Sequence, residues 1–384
     1  MNEPHLTRRD LLVGALGFAA AAAAARAQSV RTMARLPAVR IPWRGIDASY
    51  IPQLDSLGVH FFSGKTRVDP LRLAAAAGIN LVRLRMRVNT TDGFTGTAST
   101  LLMAQRVHEA GMRLFIDFYL NDAWDDPSKQ PIPSTWTGLS SADLAQRVYD
   151  YTNGVMRSLE AQGTAPAFVQ VGNEVTDGML WSSGRITTSG WNSFGSFIKA
   201  GVNGVKDAFP ALRQPRIVLH IERSGDNAAS RWYYDNALLA GIPFDIIGLS
   251  YYPWWHGSIS TMSANLNDLA NRYKRPVWIV ETAYPWTLTG GDTTGNIVAS
   301  TAQLHPGYPA TSAGQTAFIK KLVQTLASVP GGLGQGLCYW GGEYVAAPGV
   351  FPSTWENLAL FDFNHKVLPG LAALGSAAVT PPPA

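Results

Sequence analysis

Short apolar runs alternate along the chain with longer segments whose apolar residues recur at helical spacing. From residue 43 onward the runs are too continuously apolar to have one face in water, which is typical of parallel strands buried on both sides. They predict eight strands, at Trp43–Ala48, Asn80–Val88, Arg113–Phe118, Ala167–Gly172, Arg216–Ile221, Asp245–Ser250, Val277–Val280 and Gly336–Trp340. Helices are predicted between them, such as Pro70–Ala77, Ala142–Gln162, Trp191–Phe209, Ser263–Tyr273 and Gly314–Ser328.

This alternation predicts the α/β class and a single (β/α)8 TIM barrel, because eight strands close such a barrel. The alternative is a doubly wound open sheet, which is expected to carry a glycine-rich phosphate-binding turn after an early strand. The residues Gly45-Ile46-Asp47 do not form that motif. No internal repeat and no Gly/Ser/Pro-rich linker divides the chain, so we predict one domain.

The N-terminus has the pattern of an export signal. Arg8 and Arg9 precede an alanine-rich apolar run from Val13 to Ala25, and Ala25-Arg26-Ala27 has the form of a cleavage site. The paired arginines favour the twin-arginine type, and the alternative is a membrane anchor, for which the run is short. We predict a signal peptide at 1–27, a (β/α)8 domain at 28–378 and a Pro-rich tail at 379–384. The mature protein is expected to be periplasmic or extracellular and not bound to a membrane.

The composition narrows the possible functions. The 12 Trp, 13 Tyr and 15 Phe suggest a surface on which flat ligands stack. The formal charge is only +4 and no run of Lys or Arg exceeds a pair, which argues against a nucleic-acid partner. The single cysteine, Cys338, allows no internal disulfide. No HExxH motif, Walker loop or histidine cluster is present, so no metal or cofactor is expected, and we predict a monomer.

Two glutamates stand where predicted strands end. Glu174 follows the fourth strand in Gly172-Asn173-Glu174, and Glu281 directly follows the seventh. The carboxyl ends of barrel strands form the active face, so both side chains should meet there. Two carboxyl groups in an aromatic pocket suit cleavage of a glycosidic bond, in which one donates a proton and the other attacks carbon or activates water. Glu174 and Glu281 are therefore the predicted catalytic residues.

Other polar and aromatic residues near the strand ends are predicted to bind a sugar, whose C–H faces stack on Trp and whose hydroxyls bind polar groups. The predicted substrate-binding residues are Asn173, Arg85, Asp117, Trp124, His220, Tyr251, Tyr252, Trp254, Trp255, Trp286 and Trp340. Arg83, Arg85 and Arg87 alternate along the second strand and project to one side. Burial of unpaired arginines is costly, so carboxylates are expected beside them.

The chain resembles the family 53 glycoside hydrolases, the endo-β-1,4-galactanases of a large clan of retaining (β/α)8 enzymes. The resemblance covers nearly all of the chain after the predicted signal peptide. It rests on a series of blocks, at Arg44–Tyr50, Val82–Arg85, Gln170–Glu174, Gly248–Gly257, Val280–Trp286, Tyr308–Thr311 and Ser353–Asn357.

The resemblance implies that Glu174 is the general acid/base and Glu281 the nucleophile. It also implies that Asn173 binds the hydroxyl next to the anomeric carbon and that Tyr251 or Tyr252 lies near the nucleophile. Trp340 would form the base of the sugar subsite on the non-reducing side of the cut, with a cis peptide bond after it.

Two motifs depart from the family pattern. The third strand ends in Asp117–Asp122, read as Asp-Phe-Tyr-Leu-Asn-Asp, where the family has Asp-Phe-His-Tyr-Ser-Asp. After the eighth strand the chain reads Tyr339-Trp340-Gly341-Gly342-Glu343-Tyr344, where the family has Tyr-Trp-Glu-Pro. Both departures concern substrate contacts and leave the two glutamates in place.

The expected function is hydrolysis of β-1,4-galactan, such as pectic side chains, by double displacement with retention. Retention predicts that the two carboxyl groups lie about 5–5.5 Å apart. The alternatives are an endo-hydrolase of another β-1,4-glycan, such as mannan or xylan, and a non-catalytic glycan-binding barrel.

Overall fold

The computed structural model describes residues 41–90, 92–123, 126–347 and 350–376. The predicted signal peptide at 1–27, the Pro-rich tail at 379–384 and Trp124 lie outside the described residues. No helix within the described ranges is long and apolar enough to cross a membrane.

Eight parallel strands form a closed barrel, which confirms the predicted fold. In chain order, the first to the eighth barrel strands are Trp43–Asp47, Leu81–Met86, Arg113–Phe118, Phe168–Val171, Arg216–Ile221, Ile246–Tyr251, Val277–Thr282 and Gly334–Tyr339. Each strand pairs with its neighbours in the chain, and the first closes the barrel by pairing with both the eighth and the second. All eight predicted strands are present, although the seventh continues beyond Val280 and includes Glu281.

Helices connect the strands and cover the outside of the barrel. The α-helices are Ile51–Ser56, Pro70–Ala76, Thr97–Glu109, Ser141–Ala161, Ile186–Asp207, Asn227–Leu239, Pro253–His256, Ile259–Tyr273, Ser312–Ala327 and Pro369–Gly375. Short 3₁₀ turns lie at Ser134–Trp136, Ala211–Arg213, Thr301–Gln303, Pro330–Gly332 and Glu356–Leu358. A hairpin of Phe61–Ser63 and Thr66–Val68 was not predicted, because strands of three residues are too short to show a period-two pattern.

The interior of the barrel consists of an apolar layer with a polar layer above it. The apolar layer contains Leu81, Phe115, Phe168, Val218, Ile246, Trp278 and Val280. Gly336 is required there, because a Cβ atom at this position would lie 2.2 Å from Cδ2 of Trp278. Residues two positions further along a strand point to the same side, about 7 Å nearer its carboxyl end. The polar layer therefore lies between this apolar layer and the mouth of the barrel, and it includes Arg83, Asp117, Gln170 and His220.

Candidate active site

A cleft of about 1160 Å³ opens at the carboxyl ends of the strands. Of the predicted site residues, it is lined by Glu174, Glu281, Asn173, Tyr252, Trp255 and Trp340. Four further aromatic residues among those described also line it, namely Tyr50, Tyr119, Tyr344 and Trp355. The structure thus brings the two predicted catalytic glutamates into one aromatic cleft.

Glu281 is held at the end of the seventh strand by two polar groups. A shift in the register between the sixth and seventh strands places Ser250 opposite Glu281. One carboxylate oxygen, Oε1, lies 2.8 Å from Nη2 of Arg83, and the other accepts a hydrogen bond from the Tyr252 hydroxyl at 3.0 Å. Burial raises the pKa of Glu281, and the Arg83 guanidinium and the Tyr252 hydroxyl offset part of this rise. Both contacts favour the ionised carboxylate.

Glu174 follows the fourth strand in a backbone conformation that is unusual for its residue type. Its φ angle is +48°, in the left-handed region that side chains other than glycine seldom adopt and that is common at functional sites. The Ser250 hydroxyl donates to Oε1 of Glu174 at 2.6 Å. Burial raises the pKa of Glu174 well above its usual value, and the negative charge of Glu281 raises it further. Glu174 therefore keeps its proton after Glu281 has lost its own.

Below the cleft, the Arg83 guanidinium contacts both Glu281 and Asn173, the residue next to Glu174. Its Nη2 lies 2.5 Å from Oδ2 of Asp117 and 3.1 Å from the Asn173 amide oxygen, in addition to its contact with Glu281. Its Nη1 lies 3.1 Å from Oδ2 of Asp47. The prediction that carboxylates surround the buried arginines is confirmed for Arg83.

The other two arginines of this run, Arg85 on the second strand and Arg87 directly after it, have different surroundings. Arg87 forms an ion pair with Asp92 at 2.9 Å. Arg85 lies among aromatic rings, with its guanidinium carbon 4.6 Å from the ring centroid of Tyr50, 5.7 Å from that of Tyr119 and 5.9 Å from that of Trp340. Arg85 is buried and does not line the cleft.

Three more of the predicted substrate-binding residues lie one layer behind the cleft surface. Asp117, His220 and Tyr251 are fully buried. Asp117 pairs with Arg83, His220 contacts Ser250, and the Tyr251 hydroxyl donates to the carbonyl of Gly257 at 2.9 Å. Asp117 and His220 face the barrel interior beneath the cleft, whereas Tyr251 faces the surrounding helices and stacks on Phe318, with ring centroids 6.3 Å apart. Their predicted contact with substrate stays a prediction.

Two of the predicted tryptophans, Trp254 and Trp286, are not among the residues that line the cleft. Trp254 packs between Tyr252 and Trp355, with ring centroids 5.4 and 6.3 Å away. Trp286 packs against Phe363 at 4.6 Å, and its ring nitrogen donates to the carbonyl of Glu356 at 3.3 Å. Neither lines the cleft itself, and their predicted contact with substrate stays a prediction.

Several cleft residues were not predicted. Tyr50 and Tyr344 stack with their centroids 3.9 Å apart, and Trp355 packs edge-on against Trp340 at 4.6 Å. Glu222, which follows the fifth strand, also lines the cleft. Position just after a strand could have identified Tyr50 and Glu222, whereas Tyr344 and Trp355 lie on the long segment after the eighth strand, which carries no strand-end signal.

The two motifs that depart from the family pattern contribute differently. Tyr119, which replaces the family histidine, lines the cleft. Glu343 does not line the cleft. It is buried, its carboxylate accepts a hydrogen bond from the backbone nitrogen of Tyr50 at 3.1 Å, and burial raises its pKa to about 8.

The expected cis peptide after Trp340 is wrong, because within the described ranges the cis bond lies at Trp181–Ser182. Gly341 turns the chain with a φ angle of +64° instead.

The described residues contain no group of three or more His, Cys, Asp or Glu side chains that could hold a metal ion.

Comparisons with known proteins agree with this architecture. The family model described as "Glycosyl hydrolase family 53" matches residues 43–374. A relative from Cellvibrio japonicus, named arabinogalactan endo-beta-1,4-galactanase, is 35% identical over 333 residues, which are 84% of this chain and 87% of that protein. The family 53 catalytic domain of Ignisphaera aggregans has a TM-score of 0.83 at 32% identity, with 88% of this chain and 96% of that chain covered. A structure of fungal beta-1,4-galactanases has a TM-score of 0.76 at 26% identity, with 88% and 99% covered.

Proposed function

The chain belongs to glycosyl hydrolase family 53, and we propose on this basis that it cleaves β-1,4-galactan, as in type I arabinogalactan, with retention of configuration. The observation that carries this proposal is the pair of glutamates in one aromatic cleft, of which Glu281 lies 2.8 Å from the Arg83 guanidinium. The names of the relatives favour galactan over mannan or xylan. A non-catalytic glycan-binding barrel would not need two carboxyl groups held in different protonation states.

In the proposed first step, the Glu281 carboxylate attacks the anomeric carbon while Glu174 gives its proton to the glycosidic oxygen. The bond between the anomeric carbon and this oxygen breaks, the leaving sugar departs with the proton, and a galactosyl ester of Glu281 remains. In the second step, Glu174 takes a proton from water, whose oxygen attacks the anomeric carbon and displaces Glu281. Two inversions at one carbon give overall retention.

The electrostatics of the site support the change of Glu174 from an acid in the first step to a base in the second. The charge of Glu281 is one cause of the raised pKa of Glu174. Formation of the ester removes that charge, so the pKa of Glu174 falls when the residue has to act as a base. Asn173, whose amide oxygen is held by Arg83, is suited to bind the hydroxyl next to the anomeric carbon. Trp340 and the stacked Tyr50 and Tyr344 offer rings to the C–H faces of the sugar.

We also propose that the mature protein acts outside the cytoplasm as a monomer. Galactan is a polymer found outside cells, so an enzyme that cleaves it needs an export route, and the sequence pattern at 1–27 supplies one.

The proposed substrate can be tested with galactan, mannan and xylan side by side. We expect oligosaccharide release to be fastest on galactan, and endo cleavage to lower its viscosity before much reducing sugar appears. Faster release from mannan or xylan would contradict the substrate but not the hydrolase. Tight binding of galactan without any product after long incubation would instead indicate a non-catalytic barrel.

Glu174→Ala should lower kcat/KM on galactan by about 10²–10⁴-fold, the contribution of a positioned general acid. An aryl β-galactobioside with a good leaving group needs no proton, so its kcat/KM should fall far less. On that substrate the high-pH limb of kcat/KM, which reports loss of the Glu174 proton, should disappear. Azide should restore turnover and give a β-galactosyl azide, because a small anion can enter the space left by the carboxyl group. Equal losses on both substrates would contradict the acid/base role.

A further inference from the structure

Glu174 is bordered on its buried side by polar side chains of three adjacent strands. Gln170, His220 and Ser250 lie on the fourth, fifth and sixth strands, and each is fully buried. Interior groups of this kind are costly unless their hydrogen bonds are satisfied, so their arrangement needs an explanation. None of them reaches the surface of the cleft.

The direction of the hydrogen bonds among these groups follows from a backbone donor. The N–H of Glu174 points to Nδ1 of His220 at 3.4 Å, and a peptide nitrogen can only donate. Nδ1 is therefore an acceptor, and the proton of the neutral ring is on Nε2. Burial lowers the pKa of His220 well below its usual value, which keeps the ring neutral.

The remaining contacts then have one consistent direction. Nε2 of His220 lies 2.8 Å from the Ser250 hydroxyl oxygen and donates to it. The Ser250 hydroxyl in turn donates to Oε1 of Glu174 at 2.6 Å. The contacts from Glu174 N–H through His220 and Ser250 to Glu174 Oε1 form a closed ring of hydrogen bonds, called here the Glu174 ring.

The Glu174 ring is attached to the charged centre of the site. The amide nitrogen of Gln170 lies 3.0 Å from Nδ1 of His220 and 2.7 Å from Oδ1 of Asp117, which pairs with Arg83. The backbone N–H of Val175 donates to the His220 carbonyl at 3.0 Å, so the same histidine also supports the left-handed turn at Glu174. The position of Glu174 is thereby tied to that of Arg83 and, through it, to Glu281.

We propose that His220 and Ser250 are positioning residues that keep Oε1 of Glu174 as a hydrogen-bond acceptor, so that the transferable proton resides on Oε2. This proposal rests on the proposed function. Oε2 has no hydrogen-bond partner among the described residues, which leaves it to face the glycosidic oxygen and later the attacking water. Without the ring, the proton could reside on either oxygen, and only one of the two would face the reacting bond.

The direct test compares leaving groups in Ser250→Ala. Without the Ser250 hydroxyl, the proton of Glu174 is no longer restricted to Oε2. We therefore expect kcat/KM on galactan to fall by about 10- to 100-fold, which is a part of what a general acid contributes. On a dinitrophenyl β-galactobioside, which needs no proton, the loss in kcat/KM should stay within about 3-fold. KM and the thermal unfolding temperature should change little. A loss of the same size on both substrates would overturn the proposal.

Two variants of His220 provide a matched pair. In His220→Gln the side-chain nitrogen can take the position of Nε2 and donate to Ser250. In His220→Asn the amide oxygen can accept from Glu174 N–H, but nothing reaches Ser250. We expect the glutamine variant to retain most activity on galactan and the asparagine variant to resemble Ser250→Ala. A histidine that only supported the backbone would give the opposite order, and that result would overturn the proposal.

The tautomer of His220 can be measured without any substrate. In protein labelled with ¹⁵N-histidine, the His220 signals can be assigned by their absence from His220→Gln, and they should show a neutral ring protonated at Nε2. An imidazole protonated at Nδ1 would contradict the Glu174 ring, whatever the activity of the protein. An inactive wild-type enzyme with the expected tautomer would instead contradict the proposed function alone.

Discussion

Glu281→Gln should lower kcat on galactan by about 10⁴- to 10⁶-fold, the range reached when a hydrolase loses its nucleophile. Glutamine has nearly the same shape and can still accept from the Tyr252 hydroxyl, which lies 3.0 Å from Oε2 in the wild type. It has no negative charge to attack carbon and cannot form an ester that water cleaves. The loss should therefore appear in kcat, with binding of galacto-oligosaccharides largely retained.

The role of Glu281 can be tested further by trapping. A 2-fluoro β-galactobioside with a good leaving group should form a stable ester, and mass spectrometry should locate it on the peptide that contains Glu281. Proton NMR of early product should show the β anomer, as retention requires. A label on another residue would contradict the assignment of Glu281 as the nucleophile. An α product would instead indicate inversion, for which the two carboxyl groups lie about 6.5–9.5 Å apart.

The fold could be predicted from the sequence because strands buried on both sides leave a strong local signal. Parallel barrel strands lie between helices and interior side chains, so their apolar runs are nearly unbroken. The predicted seventh strand ends at Val280, two residues before the observed end at Thr282, because a carboxylate such as Glu281 normally marks the end of a buried run. Here Arg83 and Tyr252 compensate its charge within the strand. Arg83 lies almost two hundred positions away from Glu281 in the chain, so a local pattern does not contain this compensation.

Whether each site residue reaches the surface of the cleft or lies beneath it was harder to predict. Asp117 and His220 each lie two positions after a residue of the apolar layer, Phe115 and Val218, so their alternation did indicate the barrel interior. Whether an interior residue also touches the cleft depends on the loops above it. Those loops differ in length and come from distant parts of the chain, as the stacking of Tyr50 on a tyrosine at position 344 illustrates.

Arg83→Met should destabilise the protein and inactivate it together. The substitution leaves Asp47, Asp117 and Glu281 buried without the guanidinium that contacts all three. Removal of one partner from a buried ionic cluster costs about 3–5 kcal/mol of unfolding free energy. The carboxyl groups can reduce this cost only by taking up protons.

Arg83→Met should inactivate the enzyme because Glu281 takes up a proton. Arg83 lowers the pKa of Glu281, so its removal raises that pKa and leaves less of the ionised nucleophile at neutral pH. We expect kcat/KM to fall by at least about 10²–10³-fold, as for loss of one preorganised charge-stabilising group. The low-pH limb of the residual activity should move to higher pH, which a variant that is only less stable would not show.

A control for these effects is Arg106→Met, which removes another arginine that contacts two carboxylates. Arg106 bridges Asp55 and Asp69 at 2.7 and 2.8 Å, but its side chain is 31% exposed and lies away from the cleft. Water can solvate the groups left behind, so the loss in stability should be about 1 kcal/mol or less, with kcat/KM unchanged. Chemical denaturation and pH–rate profiles of both variants would measure the difference. Equal losses of stability, or an Arg83→Met enzyme with an unmoved low-pH limb, would mean that Arg83 does not control the charge of Glu281.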